Sequence, residues 1–437
     1  MKRIGFSIAV AALFCVPAAA MHYDVQVGIR PDARRLDATV IIRDPVSERF
    51  FLHKDFVIQS VIADGKPVAF HVDPAAKTTP FTPEAVTIVT EARGAKVLEV
   101  RYGGSMVKPI GTIEMPINNI APEQTELAIY SSWFPIFSLT EKYTFKLTAA
   151  LPQNLSTFAN GKLVAQSTAQ GRTTTVWTSV QPVSDMALLA LPGIKRSKAG
   201  SPPVEIAYRD LPEDAAAKLR DGEAEAQKRL SALYGTPQAK TGLEIVFTPR
   251  PGMWYSRLPL MVISEVYASN DFKKESGEAQ VFHNVSHELA HHWWTIATAG
   301  TFDDWINEGL AEYSALRLTQ ERYGEAAVKP VLAQYREDAK NSKSNDVIAE
   351  TAHESADRYL NLYEKASLMF FAAREKFGDQ ALDAFLRDFY GRYVGTSGAN
   401  TAAFLELAQQ QMGPEAAAFF KEELYRHPAA GAVAQKK

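Results

Sequence analysis

The stretch His287-Glu288-Leu289-Ala290-His291 decides how this chain is interpreted, together with Trp305-Ile306-Asn307-Glu308-Gly309 further along. Residues four apart lie on one face of a helix, so His287 and His291 could bind one metal ion together. Glu288 lies beside the first histidine, where its carboxylate could take a proton from water. An H-E-x-x-H helix of this kind predicts a catalytic zinc site.

The composition is that of an ordinary globular protein. The chain has 437 residues, of which 46% are apolar and 22% are charged, and its formal net charge is -3. This length is sufficient for two or three domains. Because there is no basic excess, we expect no nucleic-acid partner. The sequence does not indicate an oligomeric state.

Residues 1–20 have the features of a signal peptide. The basic pair Lys2-Arg3 is followed by an apolar run at 4–16 and by the small residues Ala18-Ala19-Ala20, a typical cleavage site. The alternative is a retained membrane anchor, but the run is short for a bilayer span, and no later stretch is apolar for long enough. Cys15 is the only cysteine, so the mature chain would have no thiolate metal ligand. We therefore expect export, to the periplasm or to the medium.

The first half of the mature chain has the pattern of β-strands. Between positions 24 and 191, short runs of alternating polar and apolar residues are separated by turn residues such as Asp64-Gly65 and Asn160-Gly161. Many short strands without helical stretches predict an antiparallel β sandwich or saddle, which we place at 21–195.

The second half, at 205–427, is predicted to be a mainly helical α+β domain. A basic, Pro-rich stretch at 196–204 is interpreted as a solvated linker before it, and 428–437 as a flexible tail. The patterns and end signals predict strands at 243–247 and 259–264 and helices at 212–234, 278–297, 303–323, 325–340, 358–377, 380–390, 402–411 and 414–427.

A catalytic zinc ion needs a third protein ligand and an open fourth position. Glu308, near the start of the helix after the H-E-x-x-H helix, is the candidate for this ligand. Glu312 lies four residues later on the same face and could accept a hydrogen bond from the second nitrogen of a ligating imidazole. The alternative is that Glu312 is an exposed helix residue.

Four other histidines need separate interpretations. His292 points about 100° away from its neighbour His291 around the helix, so it is predicted to pack or to support the site from behind. His283, one helical turn before the first ligand, is expected to be a polar neighbour. His53 and His71 in the first half are expected to be exposed strand residues.

Peptide hydrolysis at such a site would need two further groups. Glu288 is placed to act as the general base. An electrophile must stabilise the oxyanion, and a tyrosine phenol could do so. Position alone does not choose between Tyr313, Tyr359 and Tyr363.

These motifs resemble the gluzincin aminopeptidases, the family of aminopeptidase N and leukotriene hydrolase. Residues 287–294 and 305–313 resemble its H-E-x-x-H and W-x-N-E-G-x-A-x-Y signature. Tyr363-Glu364-Lys365 is similar to the family's Y-E-K, whose tyrosine stabilises the oxyanion. Trp133-Phe134-Pro135-Ile136-Phe137 and Asn160-Gly161-Lys162-Leu163 resemble landmarks of its β domain, so the resemblance spans most of the mature chain.

The resemblance implies a thermolysin-like catalytic domain, a peptide or protein substrate, and one zinc ion per chain. It selects Tyr363 as the electrophile beside the base Glu288. The implied zinc ligands are His287, His291 and Glu308.

The main departure from the family concerns the end of the substrate. The family's G-A-M-E-N stretch, whose glutamate pairs with the α-amine, is absent, and Gly252-Met253-Trp254-Tyr255-Ser256-Arg257 lies in its place. Arg257 falls about where the glutamate belongs, and a cation there would repel an ammonium group. Arg257 and Tyr255 are the candidate substrate-binding residues, and Glu265 or Glu354 could replace the missing acid.

Two smaller departures concern length. The connection between His291 and Glu308 is two residues shorter than is usual in the family, which a loop would tolerate. The sequence also ends soon after the catalytic helices, without the helical-repeat domain of larger members, so we expect a more open cleft that accepts longer substrates.

Three hypotheses follow from the sequence. The leading one is an exported, aminopeptidase-like zinc metallopeptidase. The second is an endopeptidase, or a hydrolase for peptides with a blocked or modified amino terminus, because the amine-binding glutamate is missing. The third is a zinc-bearing binding protein without turnover, against which the presence of Glu288 and Tyr363 argues.

Overall fold

The computed structural model describes residues 21–73, 82–108, 110, 111, 116–239 and 241–427. The predicted signal peptide and the predicted tail at 428–437 lie outside these residues. Among the described residues, no helix combines the length and the apolar character that crossing a bilayer requires.

The amino-terminal half consists of strands, as the alternation predicts. The strands are β1 (His22–Arg30), β2 (Arg35–Arg43), β3 (Arg49–His53), β4 (Phe56–Ala63), β5 (Lys66–Pro67), β6 (Phe70–Asp73), β7 (Ala85–Thr90), β8 (Val97–Ser105), β9 (Ile110–Gly111), β10 (Pro116–Ala121), β11 (Gln124–Leu127), β12 (Thr144–Pro152), β13 (Leu155–Ala159), β14 (Lys162–Ala169), β15 (Arg172–Thr178) and β16 (Leu188–Pro192). They form sheets of eight, five and three strands, in the orders β14-β15-β12-β1-β2-β8-β4-β5, β13-β16-β11-β10-β9 and β3-β7-β6.

The large sheet is mixed, so the prediction of a wholly antiparallel domain is wrong for one strand pair. β1 and β12 run parallel, with His22 opposite Thr144. Parallel neighbours need a long crossover connection, and here the intervening strands β2 to β11 supply it. Alternate residues of β1 are buried, because one face of the sheet covers the core.

His53 is buried, so the prediction that it is exposed is wrong. Its ring packs against Phe56 at a centroid distance of 4.8 Å, and its Nδ1 accepts a hydrogen bond from the backbone N–H of Asp55 at 3.1 Å. The short turn at 54–55, which connects β3 to β4 in another sheet, brings the two aromatic rings together. His71 is exposed, as predicted.

The carboxyl-terminal half contains a second five-stranded sheet and most of the helices. Its elements are β17 (Lys195–Ala199), β18 (Val204–Tyr208), α1 (Glu213–Tyr234), β19 (Leu243–Thr248), β20 (Tyr255–Arg257), β21 (Leu260–Ser264), α2 (Glu265–Asp271), α3 (Gly277–Ala290), α4 (Trp305–Tyr323), α5 (Glu325–Lys340), α6 (Ala366–Phe377), α7 (Asp379–Tyr393), α8 (Thr401–Gln411) and α9 (Pro414–Leu424). The strand order is β17-β18-β19-β21-β20, so β20 lies at an edge.

The stretch predicted as a linker is instead a β-hairpin, and that prediction is wrong. β17 pairs antiparallel with β18, and β18 pairs parallel with β19. Arg196 forms ion pairs with Glu205 and Glu244 on these neighbouring strands. The basic side chains therefore neutralise acids across the sheet and are not part of a solvated connector. The proposed limits of the two domains remain predictions.

The helix that carries the H-E-x-x-H motif is shorter than predicted. α3 ends at Ala290, and His291 is its C-cap residue. The backbone N–H groups of His292 and Trp293 donate to the carbonyls three residues earlier, which tightens the last turn and ends the helix. Trp293 and Trp294 are fully buried beyond this turn, so the chain turns back into the core.

Two irregular turns precede α4, which packs against α3, and α6, which packs against α4. A 3-10 turn at Phe302–Asp304 leads into α4, and a π-helical turn at Leu360–Lys365 leads into α6. Gly309 lies where α4 crosses α6, and a Cβ atom there would lie 2.5 Å from the Cβ of Ala366. Only glycine permits this close approach, which brings the start of α4 against the π-helical turn.

Candidate metal centre

His287, His291 and Glu308 meet where α3 packs against α4. Glu308 Oε2 lies 3.4 Å from His287 Nε2 and 3.3 Å from His291 Nε2. The three candidate ligand atoms lie within 4.8 Å of one another. Two ligands of a tetrahedral zinc ion, each about 2.1 Å from the metal, would lie about 3.4 Å apart. The geometry and the donor types therefore fit one zinc ion.

Glu312 holds the first histidine from behind, as predicted. Its Oε2 lies 2.8 Å from His287 Nδ1, which leaves His287 Nε2 facing the metal position. The glutamate is buried, so the alternative of an exposed helix residue is wrong. On the second histidine, Nδ1 of His291 lies 3.2 Å from the carbonyl oxygen of Trp294. Each imidazole therefore has its remote nitrogen occupied by an acceptor.

Two residues extend this network beyond what the sequence predicts. His283 Nε2 lies 2.8 Å from Glu312 Oε1, and the Tyr335 hydroxyl donates to the same oxygen at 2.6 Å. The sequence indicates that His283 lies near the site, because it is one helical turn before His287, but it does not predict the contact with Glu312. Tyr335 carried no signal, since it reaches the site from α5 through the tertiary packing.

Charge complementarity keeps both glutamates ionised. Burial alone would raise the pKa of Glu308, but the histidines His291 and His287 outweigh it and hold that pKa below its usual value. Glu312 behaves in the same way: burial opposes ionisation, but His283 and His287 hold its pKa well below the usual range. An ionised Glu308 is the form that can bind a cation.

Glu288 and Tyr363 both border the same cluster. Burial raises the pKa of Glu288 above its usual value, against the opposing influence of the two motif histidines. This direction suits a general base that works near neutral pH. The ring of Tyr363 stacks on the ring of His287 with a centroid distance of 5.5 Å and an interplanar angle of 15°. Burial and nearby carboxylates raise the pKa of Tyr363, so its phenol keeps a proton to donate.

The structure separates the three candidate tyrosines. Tyr313 is fully buried, and its ring packs against Phe370 and Phe371, away from the cluster. Tyr359 is 59% exposed and stacks on Tyr363 at 4.5 Å. Only Tyr363 of the three contacts a candidate metal ligand. His292 is buried, in agreement with the prediction that it packs.

The cluster lies in a cleft of about 830 Å³. One wall is the edge strand β20 with Tyr130 from the amino-terminal half, and another is α5 with Pro330 and Val331. Arg257 lines the β20 end, where its Nε donates to Asp185 Oδ2 at 2.7 Å. This ion pair offsets the positive charge of the guanidinium group, so the predicted repulsion of an ammonium group is weakened.

The other residues considered for the substrate end do not present a free group to the cleft. The hydroxyl of Tyr255 donates to the buried Glu126 at 2.9 Å, so Tyr255 supports the wall. Glu265 Oε1 accepts three backbone N–H groups, those of residues 209 to 211, at 2.7 to 3.0 Å. Glu354 is exposed outside the residues that line the cleft. The prediction that one of these two acids replaces the missing glutamate is therefore wrong.

The part of the chain that holds the metal centre is similar to a known protein family. Residues 254–422, which include the whole cluster, match the model of the Peptidase family M1 domain. This part of the chain is therefore similar to the catalytic domain of that peptidase family. The resemblance predicted from the motifs is thus confirmed.

Curated relatives align with only a limited stretch of this chain. The human and mouse proteins named Aminopeptidase RNPEPL1 are 30% and 29% identical to it over 150 residues. This alignment covers 31% of the chain and only 20% of either relative.

Solved structures match over nearly the whole chain at low identity. An M1 zinc metallopeptidase from Deinococcus radiodurans, as a mutant bound to a Tyr-Ser-Ala substrate, has a TM-score of 0.69 and 20% identity and covers 93% of this chain and 94% of its own. Yeast LTA4 hydrolase has a TM-score of 0.71 and 15% identity and covers 94% and 68%. These matches confirm the predicted fold class, a β-rich domain followed by a helical domain.

Proposed function

We propose that this chain is a zinc-dependent metallopeptidase that hydrolyses peptide bonds in an aminopeptidase-like cleft. The observation that carries the proposal is the convergence of His287, His291 and Glu308 at zinc-ligand spacing within an M1 domain. The names of the relatives support it, since the curated ones are aminopeptidases and the Deinococcus protein binds a tripeptide substrate.

The side chains divide the reaction between them. A zinc ion held by the three ligands would act as a Lewis acid toward a substrate carbonyl and would acidify water. Glu288 accepts the proton of the attacking water as the new C–O bond forms. Glu288 then returns this proton to the amine nitrogen as the C–N bond breaks. The phenol of Tyr363 donates a hydrogen bond to the oxyanion that develops on the carbonyl oxygen.

The proposal is tested with Glu288→Gln, which keeps the size of the side chain but removes the base. We expect kcat/KM on a peptide panel to fall by about 10²- to 10⁴-fold, with zinc content unchanged. Glu278→Gln is the matched control, because Glu278 lies on the same helix and its carboxylate faces Lys218 at the surface. Full activity of the Glu288 variant would refute the assigned mechanism.

Tyr363→Phe tests the electrophile separately. We expect kcat to fall by about 10²- to 10³-fold while substrate affinity changes little, because the hydrogen bond strengthens only in the transition state. Tyr359→Phe is the control, since Tyr359 is the exposed neighbour in the same stack. Equal losses in the two variants would show that the stack, not the Tyr363 hydroxyl, matters. Zinc binding without turnover in the wild-type protein would favour a binding protein instead.

A second candidate function is the cleavage of internal peptide bonds or of peptides with a blocked amino terminus. Arg257 favours it, because a guanidinium group with hydrogen-bond donors lines the end of the cleft where the resemblance places an amine-binding glutamate. Rates on free and N-acetylated forms of one peptide separate the two functions. A strong preference for the free amine would remove this candidate.

We also propose that the protein is exported, most simply to the periplasm. The basic pair, apolar run and small residues of positions 1–20 support this. Met21, which follows the predicted cleavage site, is buried, and its carbonyl accepts a hydrogen bond from the backbone N–H of Thr144. Sequencing of the mature amino terminus tests it. An uncleaved chain that stays in the cytoplasm would contradict export.

A further inference from the structure

The β20 end of the cleft is held rigid by a hydrogen-bonded arginine. Besides its bond to Asp185, the guanidinium of Arg257 donates through Nη2 to the hydroxyl of Tyr130 at 3.0 Å and through Nη1 to the carbonyl of Ser256 at 2.8 Å. It also lies over the rings of Tyr130 and Tyr255, at 5.6 and 5.1 Å from their centroids. The side chain is therefore fixed in place, although it is 24% exposed.

Asp185 is itself fixed and closed to ligands. Its side chain is 3% exposed, and its Oδ1 accepts a hydrogen bond from the backbone N–H of Ile129 at 2.8 Å. Asn160 donates to the carbonyl of Asp185 at 2.9 Å, and the indole of Trp133 donates to the carbonyl of Met186 at 3.0 Å. This carboxylate is committed to Arg257 and to the protein backbone.

Arg257 and Tyr130 both keep unused hydrogen-bond donors at this end of the cleft. A guanidinium group has five N–H bonds, and Arg257 uses three of them within the described part of the chain. The Tyr130 oxygen accepts from Arg257, which leaves its own proton to donate. These N–H and O–H donors bind carbonyl and carboxylate oxygens, whereas an ammonium group is itself a donor and needs an acceptor.

Within the described part of the chain, every carboxylate that lines the cleft already has another partner or role. Glu308 and Glu312 belong to the metal centre, and Glu288 is the general base. Asp304 pairs with Arg358 at 2.6 Å and accepts from the backbone of Gly300 at 2.8 Å. No described acid that lines the cleft is free to hold a substrate amine.

We propose that Arg257 and Tyr130 form a subsite that binds an oxygen acceptor of the substrate, not a free α-ammonium group. The inference rests on the proposed peptidase function and names its substrate class: peptides that present a carbonyl or carboxylate beside the scissile bond. Three sources share this chemistry. They are the acyl carbonyl of a blocked or internal residue, an acidic side chain, and a terminal carboxylate.

The test uses one peptide core with different ends. The set comprises a free amine with a carboxamide end, an acetyl group with a carboxamide end, an acetyl group with a free carboxylate, and the acetylated carboxamide with one flanking residue changed to Glu. The wild-type protein is expected to prefer one of the oxygen-bearing members to the free amine. The preferred member identifies the source of the oxygen.

The variants connect that preference to the subsite. Arg257→Gln is expected to lower the ratio of kcat/KM for the preferred peptide to that for the free amine by about 10- to 100-fold. Arg257→Lys, which keeps the charge without the planar fork, is expected to give an intermediate ratio. Tyr130→Phe removes one donor and leaves the Arg257–Asp185 pair, so it tests the subsite even where loss of the arginine impairs folding. Arg209→Gln is the matched control, because Arg209 pairs with Asp210 outside the cleft.

Binding to the Glu288→Gln protein gives a readout independent of turnover. In calorimetric titration, the four peptides should bind in the same order of affinity as their order of kcat/KM in the wild-type protein. Addition of Tyr130→Phe should make the differences between these affinities smaller. A wild-type preference of tenfold or more for the free amine, unchanged by both Arg257→Gln and Tyr130→Phe, would overturn the subsite while leaving the peptidase intact. Turnover that does not depend on Glu288 would instead overturn the proposed function.

Discussion

Removal of the Tyr335 hydroxyl on α5 should weaken zinc binding, although this hydroxyl bonds to Glu312 and not to a candidate zinc ligand. Tyr335 donates to Glu312 Oε1 at 2.6 Å, and the other oxygen of Glu312 lies 2.8 Å from His287 Nδ1. The Tyr335→Phe substitution deletes this donor from a buried, ionised carboxylate. Glu312 then holds the imidazole of His287 less firmly, and the metal ligand loses part of its orientation.

The expected size follows from these contacts. A buried hydrogen bond to a charged acceptor contributes about 1.5–3 kcal/mol. His283 remains as a second partner of Glu312 Oε1, so the lower end applies, and only part of it reaches His287. We therefore expect the zinc Kd to rise about tenfold in Tyr335→Phe, at the low end of the 10- to 100-fold effects of such partners. Glu312→Gln, which removes the charge itself, should give about 100-fold.

The assay is competition for zinc between metal-free protein and a chromophoric chelator at constant pH. Tyr323→Phe is the matched control, because its hydroxyl bonds to Glu278 at the other end of α4. Thermal unfolding of the metal-free variants separates a local effect from general destabilisation. A Kd within twofold of wild type for both Tyr335→Phe and Glu312→Gln would refute the argument that this network positions His287.

Three further predictions concern stability and packing. Burial raises the pKa of Glu223, whose carboxylate accepts a hydrogen bond from Ser286, so the folded state keeps this proton while the unfolded chain loses it above the ordinary pKa of 4.5. The protein therefore loses stability as the pH rises, and in urea unfolding the stability advantage of Glu223→Gln should be absent at pH 4 and grow by up to about 1.4 kcal/mol per pH unit above 4.5. Glu126→Gln leaves the guanidinium of Arg250 buried without its counter-charge, so urea unfolding should show a loss of about 3–5 kcal/mol. Gly309→Ala places a Cβ against α6, so thermal unfolding should show a cost of about 1–3 kcal/mol together with weaker zinc binding.

The sequence predicted the metal centre well because its residues are linked by local geometry. His287 and His291 are placed by the helical repeat, and Glu312 follows Glu308 by the same spacing on α4. Tyr335 escaped prediction because its contact depends on how α5 packs against α4, which no local pattern encodes.

The errors in the predicted fold have a similar origin. The charge and prolines of 196–204 predict a linker, but Arg196 pairs with acids on strands that are neighbours only in the folded sheet. His53 was predicted to be exposed for the same reason: the turn that covers it with Phe56 is tertiary context. Local sequence patterns predict which residues share a face of one helix or strand, but they do not predict the contacts that form between different elements.

The two halves of the chain contribute differently to the cleft, and this explains why the substrate end was harder to predict than the metal end. Every candidate zinc ligand and catalytic group lies on α3 or its C-cap, on α4, or on the turn before α6. Arg257, by contrast, is held by Asp185, which belongs to the amino-terminal half.

The amino-terminal motifs that resemble the family's landmarks have a physical role at this end of the cleft. Trp133 and Asn160 bond to the segment that carries Asp185, so they fix the acid that fixes Arg257. A second acid, Glu126, pairs with Arg250 across the same junction. Substitution of Asn160 by Ala should therefore alter the ratio of blocked to free peptide turnover while leaving the zinc Kd unchanged. If zinc affinity changed by the same factor as that ratio, the metal end and the substrate end of the cleft would not be structurally independent.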